Sequence, residues 1–233
     1  MSTGGVVLIL GSGPNAVQAA AWPKVWFDRI VVINNAWRVR PDWDDLVFPE
    51  DFPPDRRPAE IAPNQRLIEA DAFVPAQNRF GGFVFAGATM AYTAAYWALD
   101  ALRPSVLAFM GCDMVYPKSG ATHFYGTGTA DPLRPDVSLR DLGAKSARLA
   151  VMAAQQGCVC VNLSGDPSSL LFERAAPSAL RTIALPHAPS DAVLRAREEA
   201  LGYATPDGHH ASFADRIDVD ALDALDRSWR ELF

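Results

Sequence analysis

Buried strands alternating with helices predict an α/β fold for this chain of 233 residues, with a mostly parallel sheet and helices on both faces. Residues 6–10, 29–33, 45–48, 106–110 and 158–163 are short runs that are apolar almost throughout, as in strands covered on both sides. Alanine-rich stretches between the later runs have the composition and length of helices. With 49% hydrophobic and 21% charged residues, the chain can bury one substantial core, so residues 1–233 are expected to form a single domain.

The first strand, residues 6–10, runs into Gly11-Ser12-Gly13-Pro14, where two glycines permit a tight turn and Pro14 opens a short helix that ends at Trp22-Pro23. Residues 29–33 form a second strand ending in Asn34-Asn35, and residues 45–48 a third. From 49 to 63 the chain is rich in Pro and charge without period, which predicts an irregular excursion at the strand ends. Residues 72–75 and 83–85 read as short strands, interrupted by Pro75 and by Gly81-Gly82. Gly87-Ala88-Thr89 opens a buried helix to about residue 102, Pro104 stops it, and the strand 106–110 follows. A second irregular loop spans 114–137. Ser138 and Asp141 predict a capping box for a helix to about 156, before the strand 158–163. From 190 onward the sequence reads as two polar helices around residues 207–210, packed outside or forming a partial lid.

A formal net charge of −6 and a pI near 5.2 provide no general attraction to nucleic acid, so no nucleic-acid partner is expected. No apolar run reaches the roughly 20 residues that span a bilayer, and no charged n-region opens the chain, so a cytoplasmic protein without a membrane span is expected. Cys112, Cys158 and Cys160 are odd in number and form no C-x-x-C pair. They predict core residues on strands rather than disulfides or a zinc site.

In an open α/β sheet, ligands bind beyond the carboxyl ends of the strands, and the informative residues fall there. The Gly11–Asn15 turn suits a phosphate, through backbone N–H groups at a helix N-terminus. Asn34 stands where a nicotinamide-binding protein places an acidic residue, which argues against a dinucleotide and leaves another nucleotide open. His123 lies in a Gly-rich loop between Tyr116 and Tyr125, and an imidazole is the natural base for an acceptor hydroxyl near neutral pH. Asp113 closes the Gly111-Cys112-Asp113 turn at the end of the strand 106–110 and is placed to bond an acceptor hydroxyl, a metal or the next turn. Glu50, Asp51, Asp113 and Asp131 are carboxylates available to Mg²⁺.

The order of these elements resembles the bacterial sialyltransferases that use CMP-sialic acid, together with the related motility-accessory-factor glycosyltransferases and archaeal hydroxymethylpterin pyrophosphokinases. The resemblance rests on Gly11-Ser12-Gly13-Pro14 after the first strand, Asn34 after the second, and a small-residue opening of the alanine-rich helix. It continues in Gly111-Cys112-Asp113-Met114-Val115-Tyr116, a G-x-D-x-x-Y, and in the late turn Asp166-Pro167-Ser168-Ser169-Leu170-Leu171, covering roughly residues 5 to 172.

The resemblance implies a Rossmann-like fold, with the nucleotide held by Gly11, Ser12, Gly13, Pro14, Asn15, Asn34, Gly87, Ala88, Thr89, Ser168 and Ser169. It implies that Tyr116, with His123 or Tyr125, supports the leaving phosphate. The family's base histidine has no counterpart, since residues 136–142 contain none. The expected activity is transfer of a sugar from a nucleotide-sugar donor, CMP-linked for preference, to the hydroxyl of a small molecule or glycan, with no further cofactor. His123, Tyr116, Tyr125 and Asp113 are its candidate catalytic residues. The alternatives are a Mg²⁺-dependent pyrophosphokinase acting on a hydroxylated heterocycle, and an inactive nucleotide-binding protein; homo-oligomerisation stays open.

Overall fold

A computed structural model of the protein describes residues 4–117, 119–128, 134–185 and 187–233. Its strands are β1 (Val6–Leu10), β2 (Arg29–Ile33), β3 (Asp45–Val47), β4 (Arg66–Ile68), β5 (Val106–Met110), β6 (Val159–Asn162) and β7 (Glu173–Arg174). They form one seven-stranded sheet in the order β4-β3-β2-β1-β5-β6-β7, and every pairing is parallel. The fold is α/β and Rossmann-like, as predicted. Strand order reverses between β1 and β5, which makes their carboxyl ends the switch point of the sheet. Leu10 is in register with Val32 of β2 and Met110 of β5, so the turns that follow these three strands leave the sheet at one level.

Both faces of the sheet are covered, unequally. Val7 and Ile9 of β1 join a core with the helices α1 (Ala70–Arg79), α2 (Phe83–Ala86), α3 (Met90–Ala101), α4 (Leu142–Gln155), α5 (Ala192–Leu201) and α6 (Val219–Leu232). Val6, Leu8 and Leu10 face the other way, against short 3-10 helices over Pro14–Ala21, Asn34–Arg38 and Pro177–Thr182, with Trp43 and Phe48. All five β1 side chains are buried, and full burial of such a side chain stabilises by about 1.5–3 kcal/mol.

The expected strands at 72–75 and 83–85 are helical, in α1 and α2. Phe73, Ala76 and Gln77 are buried at helical spacing, whereas a four-residue run ended by Pro75 was too short to reveal a period. The strands β4 and β7 escaped the sequence reading because both lie at sheet edges, are two or three residues long and carry exposed polar side chains. Asp141 alone caps α4, accepting from the Ala144 N–H at 2.9 Å, while Ser138 lies in a preceding 3-10 turn capped by Asp136. Helix α6 is not a polar outer helix: Leu222, Leu225 and Trp229 bury one face of it.

Charged side chains tie the C-terminal helices to α4. Lys145 and Asp226 pair at 2.7 Å with almost no solvent contact. Arg148 is bonded to Glu198 at 2.6 Å, to the Tyr96 hydroxyl at 2.7 Å and to the Phe80 carbonyl, and the Trp229 indole N–H donates to the same Glu198. All three cysteines are buried, although only Cys160 lies within a strand. Burial pushes the Cys158 thiol up to about 12 and raises Cys112 and Cys160 as well. Among the described residues no helix is long and apolar enough to cross a membrane.

Candidate functional site

The register of β1, β2 and β5 brings the turns after them to one cleft of about 190 Å³ at the switch point. Of the residues singled out by sequence, Gly11, Ser12, Gly13, Asn34, Thr89, Tyr116, His123 and Tyr125 line it. Three rings come together on its wall: His123 stacks on Tyr125 with centroids 4.9 Å apart, and Tyr116 lies 6.1 Å from His123. The His123 Nδ1 is 2.9 Å from the Thr122 hydroxyl.

The glycine turn differs from a simple phosphate cradle. The Gly11 and Gly13 N–H groups already donate to the Met110 and Gly111 carbonyls, both at 2.8 Å. Only the Ser12 N–H of these three lacks a protein partner among the described residues. A Cβ at Gly11 would stand 2.4 Å from the Gly111 oxygen, so glycine here serves the close approach of the β1 and β5 turns. The segment after Pro14 is a 3-10 helix, whose hydrogen bonds are less well aligned than those of an α-helix.

Asn34 is held differently. Its φ of 51° is left-handed, and its Oδ1 is buried without a partner among the described residues. Asn adopts that backbone more readily than most residues, yet the conformation and the orphaned acceptor both cost free energy. Met114, with φ 53°, lines the same cleft, so two of the three described non-glycine residues with positive φ meet there. Such concentration is characteristic of functional sites.

The remaining candidates lie off the cleft wall. The Asn15 amide nitrogen is bonded to Asp113 at 2.8 Å, Ser164 at 2.8 Å and Asp166 at 2.9 Å. Asn15 and Asp113 thus brace the turns after β1, β5 and β6 against one another. Ser169 donates its N–H to the Asp113 carbonyl, and the Ser168 hydroxyl accepts from Leu170, so this pair shapes the supporting turn. Gly87 precedes Ala88, whose N–H donates to Ser138, and Thr89, on the cleft wall itself, caps α3 with its hydroxyl by accepting from Tyr92. Pro14 starts its helix.

Glu50 and Asp51 line a neighbouring cavity rather than meeting Asp113, and Asp131 lies outside the described residues. Among the described residues no three His, Cys, Asp or Glu side chains form a group able to hold a metal ion.

Among the described residues, the one charged side chain lining the cleft was missed. Arg56, from the irregular 49–63 excursion, lines the cleft, and its guanidinium has neither an ion pair nor a hydrogen bond to the described protein residues. Its clue in the sequence was an Arg pair, Arg56-Arg57, in a loop at the strand ends. Arg57 is the one consumed by structure, bonded to the Phe52 carbonyl and placed over the Phe48 ring.

No family model, no curated protein and no solved structure matches this chain.

Proposed function

We propose that the protein is a nucleotide-dependent transferase whose switch-point cleft takes the phosphate and adjoining sugar of a nucleotide-sugar donor, with a CMP-sugar preferred. The observation that carries this reading is one cleft combining an Arg56 guanidinium and an Asn34 acceptor, each without a partner among the described residues, with the Tyr116, His123 and Tyr125 rings. Arginine recognises phosphate through paired N–H donors, and the Ser12 N–H adds a neutral one. The Asn34 Oδ1 would accept from a ribose hydroxyl or a base amino group. Phenolic and imidazole groups beside the phosphate would donate to the charge that develops as the sugar departs. At about 190 Å³ the cleft is smaller than the roughly 300–1,000 Å³ of a complete ligand pocket, so it fits a phosphate and one sugar, with the rest of the reactants outside it.

The preference for cytidine rests on the resemblance stated above. Thermal unfolding and calorimetric titration with CMP, UDP and ATP, each with and without Mg²⁺, test it directly. One pyrimidine nucleotide is expected to raise stability by roughly 2.7 kcal/mol at 100-fold its Kd, independently of metal. Arg56→Ala should weaken that binding by about 10- to 150-fold, the equivalent of a charged hydrogen bond, and leave the free protein's unfolding unchanged. Equal or absent binding across the panel sinks the proposal.

A further inference from the structure

The excursion between β3 and β4 is held by successive tight turns where it meets the switch-point cleft. The Phe52 N–H donates to the Pro49 carbonyl at 3.0 Å, the Arg56 N–H to the Pro53 carbonyl at 3.0 Å and the Arg57 N–H to the Pro54 carbonyl at 3.1 Å. Pro53 and Pro54 restrict the backbone further, since each ring fixes its own φ. The Phe52 ring is buried and lies 5.6 Å from that of Phe48, so this stretch starts from the core.

Two side chains then fasten the turn to the body of the protein. Arg57 reaches back to the Phe52 carbonyl, 3.3 Å from Nε and 3.1 Å from Nη2, and its guanidinium carbon lies 4.5 Å from the centre of the Phe48 ring. Trp37 donates its indole N–H to the Arg56 carbonyl at 3.0 Å, from a ring that packs against the core on the second face of the sheet. The Arg56 backbone is therefore gripped on one side by Trp37 and on the other by the clasp of Arg57. Its own guanidinium is left to the cleft.

Trp37 also joins the two polar groups of that cleft. It belongs to the 3-10 helix over Asn34–Arg38, so one short helix supplies Asn34 to the cleft and holds the carbonyl of Arg56. The indole itself does not line the cleft. A side chain placed before its ligand arrives gives up less freedom on binding, and such preorganisation raises affinity without a new contact to the ligand.

We infer that the turn over residues 52–57 is a preformed clamp for the anionic group of the donor, and that Trp37 is the residue positioning it, acting through Arg56. The inference rests on the proposed donor cleft. It separates three arginine and tryptophan roles that the sequence leaves undivided: Arg56 meets the anion, Arg57 closes the turn and Trp37 sets where the turn stands.

The test uses the whole protein, ¹⁵N-labelled, with backbone relaxation measured on the ligand-free form and nucleotide affinity measured by calorimetry. Before any nucleotide is added, the Arg56 and Arg57 amides are expected to be as ordered as those of β2, with order parameters of about 0.85. Trp37→Phe keeps a ring on the core and removes the N–H. It should shift thermal unfolding by no more than about 4 °C and lower the order of both amides toward about 0.6. CMP or UDP binding should weaken by about 3- to 10-fold, the value of one neutral hydrogen bond. In an Arg56→Ala background the same change should alter affinity by less than about twofold, because the group it positions is gone.

Mobile amides in the ligand-free parent overturn the inference, as does a Trp37→Phe protein with unchanged order and affinity; in both cases the donor reading stands. An equal loss of affinity in the parent and Arg56→Ala backgrounds overturns it too, since Trp37 would then support the cleft as a whole. Failure of every nucleotide to bind the parent is a separate result, and removes the donor reading together with the clamp's ligand.

Discussion

Asn34 shows how a single residue carries the conflict between stability and binding. Its backbone is left-handed and its buried oxygen has no partner among the described residues, so the folded protein bears two unfavourable terms at one position. Replacement by glycine would relieve both and remove the acceptor. Asn34→Gly is therefore expected to leave unfolding free energy within about 1 kcal/mol of the parent, or above it, while nucleotide affinity falls by about 10-fold. Urea titration read alongside calorimetry checks this; a marked loss of stability with unchanged affinity would make Asn34 a structural turn residue. The same position shows the reach of the sequence. Asn after the second strand was legible as a strand-end polar group, whereas its orphaned oxygen depends on how the surrounding turns pack. The contact of His210 with Asp136 was harder still, because its members lie 74 positions apart and no local spacing announces such a pair.

Elements were legible where their pattern was long and local. The strands β1, β2 and β5 are apolar along their whole length, and α3 and α4 are long enough to declare themselves. Helix α1 was misread because Pro75 suggests an ending, and α6 because Asp and Arg fill the positions between Leu222, Leu225 and Trp229. Nothing local marks Lys145 on α4 as the partner of Asp226 on α6, although that buried pair joins the two helices. Burial pushes the Asp226 carboxyl up despite the neighbouring ammonium, so the pair is held at a desolvation cost. Asp226→Asn would leave the buried Lys145 without a counter-charge and is expected to cost about 3–5 kcal/mol. Lys145→Met combined with Asp226→Leu should recover most of that loss, since apolar residues avoid desolvation. Chemical denaturation of the single and double variants decides it; equal losses in both would mean that packing, not charge, holds α6.

Across the whole molecule, charged pairs fasten the C-terminal part to the sheet and its loops. Arg181 holds the Asp28 carboxyl below its ordinary range, chiefly by hydrogen bonding, and Arg140 does the same for Asp223. For Asp136 and Asp141 burial pushes upward, but His210 with Ser138 and Arg230 with the Ala144 N–H outweigh it, leaving both lowered. Each pair joins a residue before position 142 to one after 180. The sign follows from linkage. A carboxyl whose folded pKa lies below its unfolded value contributes stability above about pH 3.9 and loses it as pH falls toward the folded value. Acid should therefore weaken these fastenings together, while the apolar contacts of β1, β2 and β5 are unaffected by protonation. Hydrogen exchange followed by mass spectrometry, corrected for intrinsic rates, is expected to show residues 190–233 losing protection first as pH is lowered below about 4, with the central strands protected longest. Raising salt at neutral pH should reproduce only part of the effect, because the exposed Arg181–Asp28 and Arg140–Asp223 pairs are screened while the buried His210–Asp136 contact is screened much less. Simultaneous loss of protection in the sheet and the C-terminal helices would sink this account, since it would mean that the helices are held by the same cooperative core as the strands rather than by ionised carboxylates.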